Sequence, residues 1–397
     1  MSQGNLGTCR EGAWTRAGGD IHPPREASRH EGGTAPLMGD QAAGVGLVGY
    51  GLGGSVFHAP LVQAEPGLRL HAVATSRAGQ VQRDHPGVRV VATAGELLED
   101  PAVELVVVAA PNAVHHQLAA AALRAGRHVV VDKPFTLTTA DADELIGLAE
   151  ATDRRLSVFH NRRWDGDFLT VRRCLEAGLL GNVSSFTSRY DRFRPVPKGS
   201  WKEQDVPGSG ILYDLGPHLI DQALQLFGRP GTVWADVGVQ RPGVAAVDYL
   251  HLVLGYGRLR VLLHAGMEVR DPGPRFEVHG DRGSFVKHGM DLQEQDLRAG
   301  GRPGDPGWGS EPPDRHGTLT TEVDGLELRG RLASEPGAYQ SFYAAMAAAV
   351  AGDGPVPVPA AEARDTILVI ERALASAREG RVVRLAEGPA AAEPGAT

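Results

Sequence analysis

The chain has 397 residues, more than a typical domain of roughly 150 and long enough to enclose a sizeable core, which points to two domains. Forty Lys and Arg stand against 48 Asp and Glu, a net charge of −8 at pH 7 that offers no general electrostatic footprint for nucleic acid or an anionic membrane, so a small molecule is the expected partner. The two cysteines, Cys9 and Cys174, cannot build a disulfide framework or a structural zinc site, and no run approaches the roughly 20 apolar residues that span a bilayer; a cytoplasmic protein is expected.

Residues 1–40 mix Gly, Arg, Glu and Pro without an apolar period and lack the apolar region of a secretory signal, which predicts a disordered extension. Met38 lies just before the first expected strand and is an alternative start; a tag or a genuine tail would equally account for Met1–Leu37. From Val45 onward, short apolar runs alternate with helical stretches, as in repeated βαβ units with a parallel sheet buried on both faces. VGLVGY, LRLHAVATS, VELVVVAAP and HVVVDKPF are the strand candidates. An Ala-rich helix runs through Leu123 and stops at Gly126, and Thr138-Thr139 before Asp141, Asp143 and Glu144 marks another helix start.

After LSVFHNRRW the rhythm changes to strands near Val183–Tyr190, Thr232–Gln240, Asp248–Leu254, Leu259–His264 and Phe276–Gly280, with one marked helix over Ile211–Phe227. Such a run predicts a second, α+β domain on a mostly antiparallel open sheet. Gly300–Gly317 holds ten Gly or Pro in eighteen residues and reads as a long irregular loop, a lid or simply mobile. Tyr339–Val350 and Ala360–Ala377 look helical, and 386–397 should fray. The expected division is 41–160 for a dinucleotide-binding α/β domain with a doubly wound parallel sheet and 161–385 for a substrate and oligomerisation domain whose last helices pack back on the first.

The strongest motif is Gly49-Tyr50-Gly51-Leu52-Gly53-Gly54, a G-x-G-x-x-G where a strand gives way to a helix. Gly49 permits the tight turn, Gly51 lets a pyrophosphate approach the backbone around Leu52, and Gly54 allows close helix–strand packing. The second strand ends in Ala74-Thr75-Ser76-Arg77, without the carboxylate that would accept from an adenosine ribose 2′-hydroxyl. Ser76 and Arg77 suit a 2′-phosphate instead, which favours NADP(H) and leaves NAD(H) open; the alternative is that Arg77 is an ordinary solvated charge.

With Pro111-Asn112-Ala113-Val114-His115 and Asp132-Lys133-Pro134, these segments resemble the Gfo/Idh/MocA oxidoreductase family over roughly Val45 to Leu385. GYGLGGSVFHAP, SVFHNRRWDGDF and GILYDLGPHLIDQALQLFG are most similar to its branch of NADP-dependent scyllo-inositol 2-dehydrogenase-like enzymes. The resemblance implies a Rossmann domain followed by an α/β domain whose open sheet makes a homodimer or homotetramer. It also implies hydride transfer between a nicotinamide and a secondary alcohol or ketone of an inositol, sugar or related polyol.

The family's Glu-Lys-Pro falls on Asp132-Lys133-Pro134, so Lys133 carries over as the residue that contacts substrate and assists proton movement, with a cis peptide before Pro134 plausible. Asp132 is one methylene shorter than the family's Glu, which puts that residue's supporting role in question. The family's D-x-x-x-H falls on Asp214 and His218, whose spacing predicts one helix face, with Asp221 within reach. His218 is the expected acid/base, and Asp214 would bind a substrate hydroxyl or orient the imidazole; a helix cap is its ordinary role. Pro111, Asn112 and His115 should border the nicotinamide, His115 being equally placed for the helix surface. Asn161 and Arg163 match the segment that lines the site or binds cofactor, although an Arg there is often a structural ion-pair donor. Tyr190, Asp191 and Arg192 are either polyol contacts or an ordinary strand end, and Trp308 is a guess for covering a neighbouring site. No metal is expected. Dinucleotide-binding regulators without turnover and NAD-dependent glycoside-cleaving relatives are the competing classes.

Overall fold

The computed structural model describes residues 42–385; the extension expected over 1–40, with Cys9 and the alternative start, and the tail expected over 386–397 lie outside the described residues. Within it, two sheets divide the chain. The first is parallel and six-stranded, in the order β3-β2-β1-β4-β5-β6, from β1 (Ala43–Val48), β2 (Leu68–Ala74), β3 (Arg89–Val91), β4 (Leu105–Val108), β5 (His128–Asp132) and β6 (Leu156–Phe159). Every residue of β1, β4 and β6 is buried, because helices cover both faces and an alternating strand would bring polar groups into one of the two layers. The chain order reverses between β1 and β4, and beyond the carboxyl ends of strands at such a reversal open α/β sheets have the crevice that takes ligands.

The second sheet is mixed and nine-stranded, in the order β14-β13-β12-β11-β7-β10-β9-β8-β15. Its strands are β7 (Val183–Arg189), β8 (Thr232–Gly238), β9 (Tyr249–Tyr256), β10 (Leu259–Gly266), β11 (Phe276–Gly280), β12 (Gly283–Lys287), β13 (Gly317–Val323), β14 (Leu326–Leu332) and β15 (Val383–Arg384). Only β7 and β10 run parallel; every other neighbouring pair is antiparallel. The helices Gln340–Ala351 and Ala360–Glu379 return to the first sheet's side. The Glu371 carboxylate there accepts from Thr139 N and Oγ1 at 2.8 and 2.9 Å, and Arg364 forks onto Asp143 at 2.6 and 2.8 Å.

Local signals behave as their chemistry requires. Thr138 caps the Thr139–Ala151 helix by accepting from Asp141 N at 3.1 Å, and Gly126, at φ 73°, closes the Ala-rich helix after Arg124. The expected helix over Ile211–Phe227 is two helices, Gly210–Asp214 and Gly216–Phe227, separated at Leu215. Pro217 has no N–H to continue the ladder, so the chain restarts with proline in the first turn. The loop from Gly300 stays irregular to Pro312, then turns at Pro313–Arg315 and enters β13 at Gly317.

Candidate active site

The glycine turn sits at the crevice. Gly49 has φ 97°, and a Cβ there would stand 2.4 Å from Ala109 O on the neighbouring strand's exit. At Gly54 a Cβ would stand 2.2 Å from Gly49 O, so the helix can lie this close to the turn only because Gly54 lacks a side chain. A Cβ at Gly51 would meet nothing within 4 Å: the backbone there faces open space. Leu52, 49 % exposed, opens the helix that continues through Gly53–His58 and Ala59–Ala64. The first N–H groups of that helix lack carbonyl partners and point at the open side, a cradle that fits a dinucleotide's diphosphate. Ser76 and Arg77 are exposed on its rim, and Arg77 Nη1 donates to Tyr50 O at 3.4 Å, which carries the guanidinium back over the turn.

The second constellation joins both sheets. Lys133 follows β5, its peptide to Pro134 is cis, and its Nζ donates to Asp214 O at 2.8 Å and Asp214 Oδ1 at 3.1 Å. Lys202 Nζ donates to the same Oδ1 at 2.7 Å, and Arg192 Nη1 lies 3.8 Å from Oδ2. Burial works to raise the Asp214 pKa, but Lys133, Lys202 and Arg192 outweigh it and hold the carboxyl well below its usual range. It is an anchored carboxylate, unsuited to proton transfer near neutral pH.

His218 lies on the second helix beside the Tyr190 ring, 6.3 Å between centroids and 27° between planes, with Nδ1 buried and without a partner. Burial first, then the charges of Lys133 and Arg162, push its pKa well below the ordinary histidine value. The imidazole is therefore neutral near pH 7. Tyr190 is itself fixed by Arg162, whose Nη2 donates to the phenol oxygen at 2.6 Å, while the Arg192 guanidinium lies 4.9 Å over the ring.

Several expected site residues have protein partners of their own. His115 is buried with Nδ1 2.8 Å from Pro134 O and Nε2 2.9 Å from Ala110 O, so its ring ties two strand exits together and has no free edge for a cofactor. Arg163 is equally engaged: Nε and Nη2 fork onto Asp221 at 2.9 and 2.7 Å, and Nη1 reaches Glu362 at 2.6 Å. That pairing takes Asp221 away from His218, because the helix face carrying Asp221 turns toward β6. Asn112 Nδ2 donates to Gly208 O at 2.8 Å, a bridge between the first sheet's exit loop and the loop before Asp214, next to Pro111. Asn161 is buried in the turn Asn161–Trp164. Asp191 faces away, toward His264 Nδ1 at 2.7 Å, and Trp308 Nε1 donates to Gln340 at 2.9 Å within its own chain. Lys202 and the bracing by Arg162 had no sequence signal. Lys202 arrives on the single 3-10 turn Trp201–Glu203, braced where Ser200 and Glu203 form a capping box.

A glycine cradle at the strand-order reversal, with an amine from the end of β5 and a carboxylate and a neutral imidazole from the second half of the chain, defines a nicotinamide-dinucleotide oxidoreductase acting on CH–OH groups of a small molecule. The comparisons agree. A family model described as the oxidoreductase family's NAD-binding Rossmann fold matches residues 43–160, and one for its C-terminal alpha/beta domain matches residues 172–385. The chain belongs to the Gfo/Idh/MocA oxidoreductase family.

It is 47% identical to the uncharacterized oxidoreductase YdgJ of Escherichia coli (strain K12) over 343 residues, 86% of this chain and 98% of that protein. It is 41% identical to the scyllo-inositol 2-dehydrogenase (NADP(+)) IolW of Bacillus subtilis (strain 168) over 341 residues, 86% of this chain and 95% of that one. Among solved structures, the putative oxidoreductase yvaA from Bacillus subtilis superposes with a TM-score of 0.82 at 40% identity, covering 87% of this chain and 100% of that one. No helix among the described residues is long and apolar enough to cross a membrane.

Proposed function

We propose that this chain is an NADP(H)-dependent dehydrogenase or reductase that acts on a secondary alcohol or ketone of an inositol, sugar or related polyol in the cytoplasm. The observation that carries the reading is the Lys133–Asp214 contact at 3.1 Å, which brings the strand-end amine of the first sheet to the carboxylate four residues before His218. A nicotinamide dinucleotide would supply the hydride chemistry when bound; Gly49, Gly51, Leu52 and Gly54 would hold its diphosphate, and Ser76 and Arg77 its 2′-phosphate.

The remaining work falls to side chains. The Lys133 ammonium places positive charge where an alkoxide oxygen develops, and His218, neutral before reaction, takes the hydroxyl proton or returns it in the reverse direction. Asp214, pinned by three cations, orients the hydroxyl and fixes Lys133. Tyr190 and Arg192 border the same space and fit ring hydroxyls of a polyol. The relative named as an NADP(+)-dependent scyllo-inositol 2-dehydrogenase supports both the cofactor and the substrate class. The almost wholly exposed edge strand β14, with Leu326 and Leu328, supports pairing with a second copy of the chain, as a dimer or tetramer.

NADPH absorbance followed across inositols, aldoses and their keto forms tests the reading. Turnover with at least one polyol and a preference for NADP(H) are expected; cofactor binding without turnover on any of them would overturn it in favour of a regulator.

A further inference from the structure

We propose that His58, held from behind by Tyr343, is a positioning residue for Lys133: its imidazole directs an N–H at the Asp132 carboxylate and so fixes the Asp-Lys-Pro turn. This rests on the role given to Lys133 above. His58 ends the turn Gly53–His58 that follows the glycine motif, and its wholly buried ring lies 4.3 Å from Phe159 between centroids. Nδ1 lies 2.6 Å from the Tyr343 hydroxyl, and Nε2 faces Asp132 Oδ2 at 3.7 Å with no hydrogen-bond partner.

The phenol and the carboxylate together select the tautomer. When the Tyr343 O–H donates to Nδ1, the ring hydrogen stands on Nε2 and faces the carboxylate; the opposite neutral tautomer would set a lone pair against a negative charge. Asp132 Oδ1 in turn accepts the Lys133 backbone N–H at 2.7 Å, so one carboxylate connects the buried ring to the reacting lysine's own peptide. The position of Gly53 makes room for it, since a Cβ there would stand 2.6 Å from Asp132 Oδ2. Burial opposes ionisation of Asp132, but His58 and the Lys133 charge outweigh it and draw the carboxyl down to about 2. Without the imidazole N–H, this carboxylate is free to swing toward the Lys133 ammonium and draw it from Asp214.

The test uses the full chain with NADPH and the variants His58→Phe, His58→Gln and Tyr343→Phe. His58→Phe should lower kcat about tenfold with the NADPH Kd within about twofold of wild type, and His58→Gln, which keeps an N–H donor and an acceptor for Tyr343, should restore at least half of the loss. Long-range 1H–15N spectra of histidine-labelled protein at about pH 8.5, with the His58 signal assigned by its absence from His58→Gln, should show the hydrogen on Nε2. Tyr343→Phe should move the His58 Nδ1 shift. A hydrogen on Nδ1, wild-type kcat in His58→Phe, or a glutamine variant no better than phenylalanine would overturn the proposal. If wild type turns over no polyol, the functional reading fails, and the tautomer and the Tyr343→Phe shift still decide the placement of His58.

Discussion

Replacing Gly51 with Ala separates a ligand's requirement for glycine from the fold's. The added methyl meets no protein atom within 4 Å, and Gly51 is not among the positive-φ glycines, so the folded chain should accept it at a cost, or even a gain, below about 1 kcal/mol. A diphosphate seated on the backbone at this point cannot. Losing two charge-assisted N–H contacts at about 1.5 kcal/mol each amounts to about 3 kcal/mol, on the order of 100-fold in Kd. Gly54→Ala is the contrasting case, since its methyl falls 2.2 Å from Gly49 O and backbone must move. About 1–3 kcal/mol of stability should go with it, a fall of several degrees in Tm. Fluorescence titration with NADPH and thermal melting on both variants read the two effects apart. Wild-type NADPH affinity in Gly51→Ala would refute the placement of the diphosphate, however the melting behaves.

Arg77→Ala should raise the NADPH Kd by about 10- to 100-fold and leave NADH within about twofold, read by the same titration. Lys133→Met should lower kcat at least about 100-fold and, by removing a charge that holds the His218 pKa down, move the acid limb of the oxidation pH profile upward; in wild type that limb should lie below the ordinary histidine value. His160 is buried and pushed down to about 4, so the unfolded chain binds its proton more readily. Stability should therefore fall as pH drops from about 6.5 toward 4, by about 3 kcal/mol from this group, and His160→Gln should flatten that stretch of a Tm-against-pH curve. Asp221→Asn breaks the buried pair with Arg163 and should cost about 3–5 kcal/mol in denaturant unfolding while NADPH affinity stays near wild type.

Much of the molecule is legible along the chain because its signals are local. Three glycines at fixed spacing, a threonine before an acidic turn and apolar runs of strand length each act within a few residues, and they placed β1, β2, β4, β5, the Thr139–Ala151 helix and the glycine turn after β1. Where the local pattern is weak, elements go unseen. β3 has only three residues, and β14, Leu-Glu-Leu-Arg-Gly-Arg-Leu, is almost wholly exposed at the sheet edge and carries no buried stripe to mark it. β12, β13 and the Gly166–Glu176 helix were missed as well.

The amino-acid order by itself determined the residue types available for chemistry: a strand-end lysine, a histidine four residues after an aspartate, and an arginine where a ribose carboxylate is absent. Tertiary structure alone decided their company. Arg163 and His115 carry the right groups, yet one is bound to Asp221 and Glu362 and the other lies against two backbone carbonyls, while Lys202 reaches Asp214 from a three-residue 3-10 turn too short for any periodicity to announce. Hydrogen bonds and charges act over a few ångströms in space, and the chain's own order says little about which distant residues will stand that close.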